Sequence, residues 1–340
     1  MPETPKRVLV TGASGSIGSV LVERLAAEGV LARVLVRSGR GEARSLPASA
    51  EIIEGDITDR AALQQATKGV NFVFHLAAKL HINSPAARLR DEYWRTNVEG
   101  TRLLVEAARR ADVERLVLFS TINVYGASSE GEVWDEDSPL RPASWYAETK
   151  LEAERIVLGE MCRRGVVLRL AAVYGRSMKG NYVRLLEALE HRRFVMIGDG
   201  RNRRTLIHVE DACRAALLVA RAPSAAGETY NATDGEVHTL DEIIRSMCAA
   251  LGRRPPRASV PKRAARFAAG LVEDLLQATG RDSPLKRLTV DKFTEDVAVS
   301  GLKIQRELGF RPRYDLPGGW REVVGNVACD ETSESDSSRD

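Results

Sequence analysis

No apolar run in the 340-residue chain reaches the roughly 18 residues needed to span a bilayer. The opening, Met1-Pro2-Glu3-Thr4-Pro5-Lys6-Arg7, carries no apolar signal segment. No membrane partner and a cytoplasmic location are therefore expected. Cysteine is scarce: Cys162, Cys213, Cys248 and Cys329 lie far apart with no Cys-x-x-Cys pair, which argues against a disulfide framework or a zinc site. The 5 histidines are scattered, and no bound metal is expected. Charge of one sign is also missing. The 50 basic and 47 acidic residues leave a net charge of +3, too balanced for a nucleic-acid partner. One basic cluster breaks this balance: Arg253, Arg254, Arg257, Lys262, Arg263 and Arg266, interrupted by Pro255, Pro256 and Pro261. It reads as a solvated linker, with a rim that attracts an anionic substrate as the functional alternative.

What the chain does have is alternation. Short Val- and Leu-rich runs at 7–10, 33–36, 51–53, 72–75, 115–120 and 166–170 read as strands. Amphipathic stretches at 17–27, 60–67, 97–110 and 146–163 read as helices. This order predicts an α/β fold, a Rossmann-type doubly wound parallel sheet with helices on both faces. After Tyr174-Gly175 the alternation weakens, and a smaller, interleaved C-terminal substrate domain is expected. The expected division is a dinucleotide-binding domain at 1–172, with 205–233 returning to it, and a substrate domain at 173–204 and 234–326. The tail 327–340, rich in Ser, Asp and Glu, is expected to be disordered.

The first strand runs into Thr11-Gly12-Ala13-Ser14-Gly15-Ser16-Ile17-Gly18. Glycines at a strand–helix junction permit a tight turn and close approach of backbone to a pyrophosphate. The helix start adds free N–H groups and the positive end of its dipole. The second strand ends in Arg37, where an acidic residue would accept from the ribose 2′-hydroxyl of NAD. An arginine there suits the 2′-phosphate of NADP instead. Beyond the third strand, Asp56 and Ile57 are candidate adenine contacts, with helix capping as the alternative for Asp56.

Tyr146-Ala147-Glu148-Thr149-Lys150 opens a helical run, and a spacing of four places Tyr146 and Lys150 on one face. A nearby ammonium lowers a phenol's pKa from about 10. Moving it about 3 units would need roughly 4 kcal/mol of differential interaction. Such a phenol can exchange a proton with a carbonyl or carbinol oxygen. The pair alone is too short a motif to carry the assignment. Thr121, at the end of the fifth strand and 25 residues before Tyr146, adds a hydroxyl where α/β sheets bind ligands.

Together these residues resemble the extended short-chain dehydrogenase/reductase family, in particular its nucleotide-sugar epimerase and reductase branch. The resemblance runs to about Val324. It rests on the glycine turn, Asp56, His75-Leu76-Ala77-Ala78, Asn97, Ser120-Thr121, Val124-Tyr125-Gly126, Tyr146-x-x-x-Lys150, Val173-Tyr174-Gly175 and Arg204-Thr205-Leu206-Ile207-His208. It implies Tyr146 as acid/base, Lys150 as its modulator and ribose contact, and Thr121 as the third catalytic residue. Gly12, Gly15, Ser16, Ile17 and Gly18 would face the pyrophosphate, and Leu76, Ala77 and Ala78 would line the cofactor. Asn97 matches a common Asn, often structural. Ser120, Asn181 and Arg204 would touch substrate, Arg204 through a diphosphate.

The implied activity is an NAD(P)-dependent 4-epimerase or 4-keto reductase of a nucleotide sugar. Arg37 tilts the cofactor towards NADP, whereas an epimerase would keep NAD tightly bound. A homodimer through the helices at 97–110 and 146–163 is the family expectation. One departure stands out: Ala172 occupies the position three before Gly175, where nucleotide-sugar members often carry Asn. It keeps a hydroxysteroid- or ketone-type NADP-dependent dehydrogenase as the alternative. A non-catalytic NAD(P)-sensing protein is the alternative from another class, and the intact Tyr/Lys pair argues against it.

Overall fold

The computed structural model describes residues 7–37, 46–80, 87–128, 131–176, 178–278 and 287–325. Strands and helices alternate in its first half: β1 (Arg7–Thr11), α1 (Ser16–Ala27), β2 (Leu31–Val36), β3 (Glu51–Glu54), α2 (Arg60–Thr67), β4 (Phe72–His75), α3 (Ala87–Tyr93), a π-helical stretch (Trp94–Glu99), α4 (Gly100–Arg110), β5 (Arg115–Thr121), α5 (Trp145–Met161) and β6 (Gly165–Leu170). The second half is less regular: β7 (Ala172–Tyr174), α6 (Asn181–Glu190), β8 (Met196–Ile197), β9 (Arg203–Arg204), β10 (Leu206–His208), α7 (Val209–Arg221), β11 (Thr229–Ala232), β12 (His238–Thr239), α8 (Leu240–Ala250), β13 (Ser259–Val260), α9 (Lys262–Ala278), α10 (Arg287–Thr294) and α11 (Leu302–Leu308). A last helix occupies 316–325.

Seven strands form one parallel sheet in the order β11-β6-β5-β4-β1-β2-β3, the doubly wound architecture expected. Its strands are apolar on both faces because both are covered. Val8, Val10, Val117 and Phe119 enter a core with α1 and α7. Leu9, Val73, Leu116 and Leu118 enter a second core with α2, α4 and α5. A third cluster gathers Tyr174, Leu185, Leu189, Ile243, Met247 and Trp320. Segment 229–232 pairs with β6, Tyr230 opposite Leu168. The chain winds outward from β1 to β3 on one side and from β4 to β11 on the other. The reversal between β1 and β4 opens a crevice at the strands' carboxyl ends, the general ligand site of such sheets.

The helix expected at 97–110 differs in detail. It begins earlier, as α3, and passes through the π-helical stretch before α4. Asn97 lies in that stretch, buried, and its side chain clips two other segments. Its Oδ1 accepts from the Lys79 amide at 2.7 Å, and its Nδ2 donates to Thr149 Oγ1 at 3.0 Å and to the Lys79 carbonyl at 3.3 Å. A π-bulge of this kind often marks a functional region. The disordered tail expected at 327–340 and residues Ser38, Gly39 and Arg40 lie outside the described residues.

The crevice wall is pinned by His75, which is buried. Its Nδ1 lies 2.8 Å from Thr11 Oγ1 and its Nε2 lies 2.9 Å from Thr101 Oγ1. Thr101 donates to the Asn97 carbonyl at 2.6 Å, so it accepts from His75, and the proton belongs on Nε2. Thr11 then donates to Nδ1 while accepting from the Ala77 amide at 3.3 Å. One neutral imidazole thus ties β1 and β4 to α4.

Burial, helped by the Lys150 charge, holds His75 at about 3 instead of 6.5. Between those values the unfolded chain binds a proton that the folded protein does not, so stability falls as pH drops through that window. His75→Gln is expected to shallow the acid limb of a pH series of urea midpoints by up to about one proton. An unchanged limb contradicts the assignment.

Candidate active site

β1 ends and α1 begins around three glycines, two of which, Gly12 and Gly18, leave no room for a side chain. Gly12 has φ +73°, and a Cβ there would lie 2.6 Å from the Ala77 nitrogen. A Cβ on Gly18 would lie 2.2 Å from the Gly12 carbonyl oxygen. Gly15 is the N-cap of α1 and offers no side-chain hydrogen bond, so the first amides keep their donor capacity. Ser16 and Ile17 are the first residues of α1 and remain partly exposed. This cradle fits a dinucleotide pyrophosphate by shape and by dipole. Leu76, Ala77 and Ala78, all partly exposed, follow β4 directly across the crevice.

α5 carries the proton-transfer candidates. Ser144 is its N-cap, its hydroxyl accepting from the Ala147 amide at 3.2 Å, which starts the helix just before Tyr146. Lys150 is only 2% exposed. Neither the Tyr146 hydroxyl nor the Lys150 ammonium has a hydrogen-bond partner among the described residues. Burial pushes Lys150 down to about 8, with the Glu154 carboxylate pulling the other way. The phenol departs from expectation. Burial, with Tyr93 beside it, pushes Tyr146 up to about 12, opposite to the lowering that its spacing from Lys150 predicts. A buried ammonium without an acceptor is unfavourable, and a ribose diol of a dinucleotide supplies the acceptors it lacks.

Thr121 ends β5 and is 8% exposed, its Oγ1 accepting from the Asn123 amide at 3.2 Å. That leaves its proton free to donate into the crevice. Ser120 is turned elsewhere. Neighbouring strand residues point to opposite faces, and the Ser120 hydroxyl donates to the buried Glu154 carboxylate. Ser120, expected at the substrate, thus faces Glu154 in this structure.

Glu154 belongs to a network that motif reading did not find. The Arg169 guanidinium embraces its carboxylate, with Nη2 to Oε2 at 2.7 Å and Nε to Oε1 at 3.1 Å. Arg169 also donates to the Tyr125 hydroxyl at 2.8 Å, and Tyr125 donates to Asn231 Oδ1 at 2.8 Å. The chain links α5, β6, the turn after β5, and β11. One signal was present: Tyr146, Lys150 and Glu154 fall four apart on one helix face.

The remaining candidates are more dispersed. Asp56 is exposed, and its Oδ1 accepts from the Thr58 amide at 3.0 Å and the Thr58 hydroxyl at 2.7 Å. Asp59, not Asp56, caps α2. Ile57 is a core residue packed against Gly100. Arg37 is exposed just past β2. Asn181 is exposed at the first turn of α6. Arg204 is engaged by backbone: Nη2 donates to the carbonyls of Lys292 at 2.8 Å and Phe293 at 3.1 Å, and Nη1 to those of Arg203 and Glu295. Those bonds take the fork that a diphosphate would need. No cluster of three metal-ligating side chains occurs among the described residues.

Residues 8–233 match the NAD dependent epimerase/dehydratase family. The chain belongs to that family. With it, the resemblance to extended short-chain dehydrogenase/reductases, nucleotide-sugar members among them, is borne out. The chain is 33% identical to a 4-hydroxy-2-methyl-3-oxo-4-farnesyl-3,4-dihydroquinoline-1-oxide ketoreductase of Stigmatella aurantiaca, over 90% of this chain and 92% of that one. It is 32% identical to a dTDP-glucose 4,6-dehydratase of Streptomyces griseus, over 93% and 92% of the two chains. A solved structure of MoeE5 in complex with UDP-glucuronic acid and NAD superposes with TM-score 0.74 at 28% identity, covering 95% of this chain and 99% of that one. The family is thus one of NAD-dependent oxidoreductases, epimerases and dehydratases.

Removing the carboxylate from the network would leave Arg169 charged and buried without its partner. Glu154→Ala is expected to destabilise by about 3–5 kcal/mol in urea unfolding. A loss within about 0.5 kcal/mol contradicts the network's role.

Proposed function

We propose that this protein is an NAD(P)-dependent ketone reductase or dehydrogenase whose substrate is an apolar ring ketone or the matching alcohol. The observation that carries this reading is the engagement of Arg204 by backbone carbonyls. Ala172, with no side-chain amide, supports it, as does the ketoreductase relative, whose named substrate is a farnesylated ring ketone.

The glycine cradle and the α1 N-terminus would hold the pyrophosphate, and Lys150 the nicotinamide ribose. A nicotinamide held there would supply or remove the hydride. Tyr146 gives its phenolic proton to the carbonyl oxygen during reduction, and Thr121 donates a hydrogen bond to the same oxygen. A phenol near 12 is a weak acid on its own. A charged Lys150 drawn close through the ribose favours the phenolate that proton transfer leaves behind. Arg37 suits a 2′-phosphate and supports NADPH as the reductant, although a structural neighbour was solved with NAD.

A nucleotide-sugar 4-epimerase or 4-keto reductase is the second reading, favoured by that neighbour's UDP-glucuronic acid. It requires Arg204 to leave its carbonyls. Dehydration has less support. Eliminating water needs an acid and a base beyond Tyr146, and the residues after Thr121 are Ile122 and Asn123, neither ionisable. The homodimer through α4 and α5 and the division into two domains belong to the same proposal.

Tyr146→Phe is expected to lower kcat for NADPH-dependent reduction of a cyclic ketone at least about 100-fold, while the NADPH dissociation constant stays within a few-fold. Wild-type kcat in this variant contradicts the acid role. For substrate class, UDP and dTDP are expected to leave the reduction uninhibited. Competitive inhibition by either favours the nucleotide-sugar reading.

A further inference from the structure

α9 carries an apolar face that no described residue covers. Phe267 is 70% exposed, Leu271 56% and Leu275 70%, at four-residue intervals along one side of the helix. Val272 is exposed beside them, and Ala264 and Ala268 fill the stripe between. The opposite side packs against α10. Ala269 is buried, and a Cβ on Gly270 would lie 2.5 Å from the Arg287 guanidinium. Arg287 pairs with Asp274 at 2.6 Å, and Arg266 with Asp291 at 3.1 Å. The helix is therefore anchored by one side, and its outer side is not a gap in its own core.

Charge says what the outer side suits. The loop before α9 and its first turn carry Arg253, Arg254, Arg257 and Arg263, none in an ion pair among the described residues, whereas Lys262 lies on the α10 side, where its charge acts on Glu295. All but Arg253 are exposed. The acidic residues of α9, Glu273 and Asp274, are already taken by Arg287. A second copy seated on this face would offer this rim no free carboxylate from α9. Exposed Phe and Leu along one stripe, with unpaired Arg residues at the N-terminal end, form an interfacial helix suited to an anionic lipid surface.

We propose that α9 docks the protein on the surface of an anionic bilayer, the apolar stripe entering the headgroup boundary and the arginines of the preceding loop and first turn meeting lipid phosphates. The absence of a membrane-crossing helix does not bear on this, because such a helix lies on the bilayer without spanning it. The carbonyls that hold Arg204 belong to α10 and the residues just after it, so docking sets this hairpin between lipid and candidate site. The inference goes beyond the proposed activity and does not depend on it.

The test is co-sedimentation of the full chain with vesicles of phosphatidylcholine, with and without one quarter phosphatidylglycerol. Binding is expected to the phosphatidylglycerol vesicles and to fall at least about tenfold in high salt. Phe267→Ser/Leu271→Ser/Leu275→Ser is expected to weaken binding at least about tenfold, and Arg254→Glu/Arg257→Glu/Arg263→Glu to do the same. All these side chains are exposed, and unchanged circular dichroism confirms that the variants fold. No binding by wild type, or equal binding by the apolar variant, overturns the proposal. So does a wild type that ignores vesicles and loses self-association in the apolar variant, since a second copy then covers the face.

Discussion

A lysine ammonium held inside the protein with no acceptor of its own is the constraint around which this site is arranged. Lys150 is almost fully buried, and burial, partly offset by the Glu154 carboxylate, brings it down to about 8. Water would favour the charge far more than this environment does. What keeps the ammonium tolerable is the carboxylate of Glu154, one helical turn on, itself fixed by Arg169. The proton-transfer face of α5 therefore reads Tyr146, Lys150, Glu154: a phenol, a destabilised cation and a stabilising anion in sequence.

The same arrangement ties chemistry to the scaffold. Arg169 sits in β6, Tyr125 in the turn after β5, and Asn231 in β11, so the ion pair reaches three adjacent segments at the edge of the crevice. On the other side His75 joins β1, β4 and α4 through two threonines. Both networks are buried and internally satisfied, and each holds a strand end in place. Buried polar networks of this kind fix geometry more than they add stability. Here the geometry they hold is the crevice between the cradle of Gly12, Gly15 and Gly18 and the hydroxyl of Thr121.

Much of this was legible in the sequence because local chemistry dictated it. Val8, Leu9 and Val10 can only be a strand covered on both faces, and glycines directly after it can only be a tight turn. Tyr146 and Lys150 share a helix face by spacing alone. What was not legible depends on partners distant in the chain. Arg169 lies in the apolar run Val166–Leu170, and nothing local reveals that its charge meets Glu154. Arg204 reads in the sequence as a phosphate ligand, and the carbonyls at 292–295 that engage it lie some ninety residues away. Ser120 and Thr121 are adjacent and chemically alike, and only the pleat separates the one facing Glu154 from the one at the crevice. The π-helical stretch around Asn97 follows from clips to Lys79 and Thr149 that periodicity cannot foresee.

The claim that a strained ammonium waits for a cofactor is most directly tested by titrating Lys150 itself. Side-chain nitrogen NMR of the free protein, assigned against Lys150→Met, should place this lysine at about 8. With NAD(P) bound it should rise by at least about one unit, as a ribose diol provides acceptors for the charged form. A value near the ordinary 10.4 in the free protein, or one unmoved by the cofactor, would contradict the account.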